Sequence, residues 1–185
     1  CKWITSEPMI VEDNNSWKDL SANGITDLGM AFEELTSMLS RKKFLKSPSL
    51  SYAPVIFLMT DGYPTDNYKK GLEKLKNNNW YKYGMKIALG IGDYFDESVL
   101  EEFTENKELV VKAANSSQLA KLIKTIAVTS SQIASKSMTI VSDEENELDY
   151  EDVEGNKQKE MVKIVQDTVS DDEFIETLEL EDGWD

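Results

Sequence analysis

Pro54-Val55-Ile56-Phe57-Leu58-Met59 is a continuous apolar run that passes straight into the polar loop Thr60-Asp61-Gly62-Tyr63-Pro64-Thr65-Asp66. A short apolar run closed by turn residues predicts a strand buried on both faces of a parallel sheet. Parallel strands need crossover connections, and helical patterns stand on either side to supply them. In Gly24–Ser40 the apolar residues Leu28, Ala31, Phe32, Leu35, Met38 and Leu39 recur at three and four, which predicts an amphipathic helix. Asp27 lies at its start and Arg41, Lys42 and Lys43 lie near its end, the placement a helix dipole favours. Further along, a helix is expected over Asn67–Trp80, a strand over Met85–Leu89 and a short helix over Glu97–Phe103. Next come a short strand at Leu109–Val111 and a helix over Ser117–Ser130, the latter with Leu119, Leu122, Ile123, Ile126 and Ala127 as its buried stripe. Before all of these, Cys1–Val11 reads as a strand and Glu12–Asn23 as a polar loop anchored by Trp17 and Leu20. Alternation of strand and helix predicts an α/β fold: an open, doubly wound, mostly parallel sheet. In such a sheet the binding site lies at the carboxyl ends of the strands, where Thr60–Asp66 falls.

Composition narrows the chemistry. The 185 residues contain no histidine and one cysteine. That removes a histidine general base, a Ser-His-Asp triad, histidine-containing metal sites and an internal disulfide framework. The net charge of −15 is unevenly spread: residues 139–185 hold 18 acids and 3 lysines, whereas residues 1–138 hold 17 charges of each sign. The expected organisation is therefore a neutral α/β domain over 1–138 and an acidic tail over 139–185. The tail reads as partly extended, with one possible helix over Lys157–Val169. Its Phe174, Ile175, Leu178 and Leu180 alternate with acids, a pattern that suits either a docking segment or a solubilising tail. The charge argues against nucleic acid and anionic membrane as partners, and no apolar run is long enough to span a bilayer. A lone cysteine and a lysine-rich body fit the cytoplasm.

Two loops present oxygen donors: Gly24-Ile25-Thr26-Asp27-Leu28-Gly29, which opens a helix, and Thr60–Asp66, which closes a strand. Hydroxyls and carboxylates without His or Cys suit a hard cation such as Mg2+ or Mn2+. Each loop alone also has a plainer reading, with Asp61-Gly62 as a turn and Thr26 as a helix cap. Gly90-Ile91-Gly92 lacks the third glycine of a phosphate loop. Trp3, Trp17, Trp80 and Tyr83 are expected in packing rather than recognition.

Together the two loops resemble metal-site motifs of von Willebrand factor A domains. FLMTDGYPTD is similar to the third motif, most closely in the tellurium-resistance (TerY-like) branch, and GITDLGMAFEEL is similar to the second. The likeness covers Cys1 to about Ser135. It implies a metal-ion-dependent adhesion site in which Thr26 coordinates the ion and Asp61 binds it, usually through water. Tyr63, Asp66 and Asp27 would form the lip that meets a protein partner, whose carboxylate completes the metal shell. The family's first motif, Asp-x-Ser-x-Ser, is missing; Asp19-Leu20-Ser21-Ala22-Asn23 imitates it only loosely. The family's first strand is accordingly expected upstream of Cys1 or from a second chain. Metal affinity is then expected to be weak, and the Val55–Met59 strand to present an unpaired apolar edge.

The function so implied is a non-enzymatic interaction module, in the setting of bacterial tellurite or stress resistance or of phosphorylation signalling. Two other readings stay open. One is a Mg2+-dependent phosphohydrolase using Asp61 or Asp66, although no lysine or arginine in the Asp61 loop is placed to stabilise developing charge. The other is a truncated structural remnant without bound metal.

Overall fold

The structure is a computed structural model that describes residues 1, 3, 4, 24–45, 54–113, 116–141 and 150–170. The elements in chain order are α1 (Leu28–Met38), β1 (Val55–Thr60), α2 (Tyr68–Lys76), α3 (Asn79–Lys82), β2 (Met85–Ile91), α4 (Glu97–Thr104), a 3-10 turn (Lys107–Leu109), β3 (Val110–Ala113), α5 (Ser116–Val141) and α6 (Tyr150–Ser170). The chain divides into two compact units. One comprises residues 1–51 and 64–82, the other residues 52–63 and 83–185.

The first unit is built on α1 and α2. The helices run side by side in the same direction: Gly71 meets Gly29, Lys74 meets Glu33, and Asn78 meets the carbonyls of Thr36 and Leu39. Two glycines set how close the helices come. A Cβ on Gly71 would lie 2.3 Å from the Gly29 carbonyl oxygen, so neither backbone could stay in place. Leu28, Phe32, Leu72, Leu75 and Tyr81 are buried in this unit, while Lys69, Lys70 and Lys74 face water as the helical period requires. The single helix expected over Asn67–Trp80 is interrupted at Asn77-Asn78. The Asn78 side-chain oxygen accepts from the Trp80 and Tyr81 amides at 2.8 and 3.4 Å and starts α3. Its amide nitrogen donates to Thr36 and Leu39 carbonyls at 3.3 and 3.1 Å, which closes the end of α1. Arg41, Lys42 and Lys43 sit in the turn beyond α1 rather than in its last turn.

The second unit is a three-stranded parallel sheet in the order β1-β2-β3. Val55 to Thr60 pair in register with Met85 to Gly90, and Ala88 to Ile91 pair with Val110 to Ala113. One face carries Met85, Ile87, Leu89 and Val111, covered by Leu122 and Ile126 of α5 and by Met161, Val162 and Val165 of α6, with Val55 and Phe57 at the margin. On the other face α4 packs against β2 and the Phe95 ring fills the space above Gly90, where a Cβ would lie 2.2 Å from it. Helices thus cover both faces of a parallel sheet, the mixed α/β arrangement expected.

Several details differ from the pattern-based expectation. The strand buried along nearly its whole length is β2, not β1. In β1 only Ile56 is buried and Met59 is 47% exposed; among the described strands β1 pairs on one side only, whereas β2 is flanked on both. In α5 the buried stripe runs through Gln118, Leu122, Ile126, Thr129 and Ser130, while Ile123 and Ala127 point outward. Tyr81 is the buried aromatic beside the exposed Tyr83; Trp3 is at the surface, edge-on to Phe44 at 4.9 Å. Gly90 opens room for Phe95 rather than for a phosphate. The helix expected over Lys157–Val169 is present and longer, and it joins the core. Residues 1, 3 and 4 lie in no strand; the rest of the strand expected over Cys1–Val11, the loop with Trp17, Asp19 and Ser21, and the segment 171–185 lie outside the described residues. No helix among the described residues is long and apolar enough to cross a membrane.

Replacing Gly71 with alanine is expected to destabilise the chain by about 1–3 kcal/mol in urea unfolding, the cost of overpacking a backbone contact. An unchanged midpoint would refute the close crossing. The Lys74 ammonium, 2.6 Å from Glu33, holds the Glu33 carboxyl below the usual carboxylate range, chiefly through their hydrogen bond and charge. A lowered folded pKa means the pair's contribution is complete above the unfolded value and fades as pH falls through the folded one. Lys74→Met should raise the Glu33 pKa toward its ordinary value in an NMR titration; no movement would separate the two groups.

Candidate functional site

The loop after β1 begins with a turn of its own. The Thr60 hydroxyl donates to the Gly62 carbonyl at 3.0 Å and accepts from the Gly62 amide at 3.2 Å. That turn carries Asp61 and Tyr63 into solvent, Tyr63 at 57% exposure, immediately beyond the carboxyl end of β1. Both belong to the unit that contains the sheet.

Thr26, Asp27, Thr65 and Asp66 belong to the other unit, where Thr65 bonds to the Thr26 loop and Asp66 to the start of α1. Asp27 occupies the N-cap position of α1, yet its side chain makes no capping bond. Asp66 does that work from 37 residues away: its Oδ1 accepts from the Gly29 amide at 3.0 Å and its Oδ2 from the Met30 amide at 3.2 Å. These are donors that a helix start otherwise leaves without an intrahelical partner. A carboxylate at this end also meets the positive pole of the helix. Gly29 makes the approach possible, because a Cβ there would lie 2.7 Å from Asp66 Oδ2. The Thr65 amide and hydroxyl both donate to the Thr26 carbonyl, at 2.9 and 3.0 Å, and the hydroxyl also reaches Asp27 Oδ1 at 3.5 Å. The Thr26 loop is therefore held by the stretch that precedes α2.

Of the residues singled out from sequence, Thr26, Asp27 and Asp66 are brought together in the first unit, and Asp61 and Tyr63 stand at the strand end in the second. Thr26 and Asp27 are half-buried; Asp61 and Tyr63 are exposed. The donor set is sparse for a cation: among the described residues, no three Asp, Glu, His or Cys side chains gather into a group able to hold one. Thr26 and Asp61 provide one hydroxyl and one carboxylate, so most of an octahedral shell would have to be water or a partner's oxygen. Both Asp66 oxygens already accept backbone hydrogen bonds. The capping role of Asp66 was not readable from local spacing; the small residue at Gly29 was its only trace.

No family model matches the chain, and no characterised protein sequence and no solved structure matches it.

Asp66→Ala is expected to cost about 1 kcal/mol, the usual worth of a helix cap. Asp66→Asn, which keeps one accepting oxygen, should cost less. Hydrogen exchange at the Gly29 and Met30 amides should accelerate in the same order; unchanged exchange would remove the cap from Asp66.

Proposed function

We propose that the chain is a non-enzymatic protein–protein interaction module of the von Willebrand A type. In this reading Thr26 and Asp61 supply oxygens to Mg2+ or Mn2+, and a carboxylate of the protein partner enters the same shell. Tyr63, Asp66 and Asp27 border the contact. The observation that carries the reading is the position of Asp61, exposed on a tight turn at the carboxyl end of a strand in a parallel sheet, where open α/β folds place their ligands. The firm anchoring of the Thr26 loop by Thr65 and Asp66 supports it, since a ligand loop needs a fixed backbone. The few donors present fit a weak ion completed by the partner. The resemblance suggests a tellurite-resistance, stress or phosphorylation-signalling setting, and the lone cysteine and lysine-rich body suit the cytoplasm. The engagement of both Asp66 oxygens at α1 weighs against a phosphohydrolase that would need Asp61 and Asp66 as a working pair.

Titration calorimetry with Mn2+ tests the cation. Thr26→Ala and Asp61→Ala should each weaken binding about tenfold or more, a loss of about 1.4 kcal/mol. Equal affinity in all three proteins would overturn the assignment, and no binding by the wild type would leave a structural remnant. With p-nitrophenyl phosphate and Mg2+, no turnover is expected; turnover abolished by Asp61→Ala would move the assignment to hydrolysis.

A further inference from the structure

The start of α1 has two claimants. An N-cap side chain ordinarily accepts from the second or third amide of its own helix. In α1 the cap position is Asp27 and the first helical residue is Leu28, so those amides belong to Gly29 and Met30. They are the two that Asp66 holds, at 3.0 and 3.2 Å. Asp27 otherwise behaves as a cap residue: its carbonyl accepts the first helical bond, from the Ala31 amide at 3.2 Å. Its carboxylate makes no cap bond and reaches the Thr65 hydroxyl only at 3.5 Å.

The start of α4 shows what an aspartate does at this position without a rival. There Asp96 is the cap residue and accepts from the Ser98 amide, the second of its helix, at 3.1 Å. Asp96 has φ −97° and ψ 102°. Asp27 has φ −82° and ψ 73°, folded into a tight turn that the Leu28 amide closes on the Thr26 carbonyl at 3.1 Å. A modest opening of that turn brings Asp27 to the self-capping geometry. We propose that Asp27 and Asp66 are interchangeable caps of α1, so that residues 64–66 form a releasable strap. When Asp66 leaves, Asp27 takes the Gly29 and Met30 amides and α1 keeps its first turn. Both carboxylates satisfy the same donors and meet the same helix pole, so little is lost there in the exchange. What release forfeits is the pair of bonds from Thr65 to the Thr26 carbonyl, at 2.9 and 3.0 Å. The exchange also changes which carboxylate is relieved of capping: Asp27 with the strap closed, Asp66 with it open. It is a property of the first unit and holds whether or not the Thr26 loop takes a cation.

Amide exchange at Gly29 and Met30, followed by NMR in the 185-residue chain, tests the strap. Asp27→Ala alone should leave both rates unchanged, because Asp27 holds neither amide while the strap is closed. Asp66→Ala should accelerate them, and adding Asp27→Ala should accelerate them about fivefold or more again, the usual worth of a helix cap. Asp27→Asn in place of Asp27→Ala should keep the Asp66→Ala rates, since asparagine caps as well as aspartate. In Asp66→Ala itself, the Asp27 Cα chemical shift should move toward that of Asp96, a readout that does not need the double variant to fold. A double variant that exchanges no faster than Asp66→Ala would overturn the inference. So would an Asp27 shift that stays in place, or an Asp27→Ala variant that already exchanges like the double one.

Discussion

Two side chains that flank α2 hold both ends of α1. Asp66 accepts from the amides at its start, and Asn78 donates to the carbonyls at its end. Each satisfies backbone groups that a helix cannot satisfy by itself. The pair also fixes direction: a helix held at its start by a residue ahead of α2 and at its end by a residue beyond α2 must run parallel to α2. Gly29 and Gly71 then let the two backbones meet, and the Glu33–Lys74 contact lies on the outside of the same seam. The Thr26 loop inherits its position from this arrangement, so the proposed binding lip is a by-product of helix capping.

The sheet depends on a different constraint. β2 lies between β1 and β3 and is buried on both faces, including the Lys86 side chain. A buried ammonium needs a partner, and Glu105 provides it at 2.8 Å. Glu105 closes α4 in a left-handed conformation with φ 59°, one that a non-glycine residue adopts at some cost. That ion pair adds to the packing of α4 on β2 and ties the helix end to the centre of the sheet.

Periodicity made the elements legible, and position within the sheet stayed hidden. The spacing of Leu28, Phe32 and Met38 marked α1, and the passage from Met59 into Asp61-Gly62 marked a strand end. The same apolar content pointed to β1 as the fully buried strand, whereas the chain buries β2 with its lysine. Hydropathy records what a residue tolerates, while centre or margin is decided by which strands pair. The break at Asn77-Asn78 and the cap from Asp66 were missed for a related reason: both depend on α1, far away in sequence. For the candidate site, the residue types and the strand-end position of Asp61 were legible. The commitment of Asp66 to α1 was not.

The acidic C-terminal region is not simply an appendage. Met161, Val162 and Val165 of α6 lie in the same cluster as Ile87, Leu89, Leu122 and Ile126. The point where composition turns acidic therefore does not mark a place to cut. A chain shortened there would keep a charge-balanced sequence and lose three side chains from its interior, thinning the cover that α6 shares with α5 on that face of the sheet. Such a cut would cost solubility through the lost charge and foldability through the lost interior contacts.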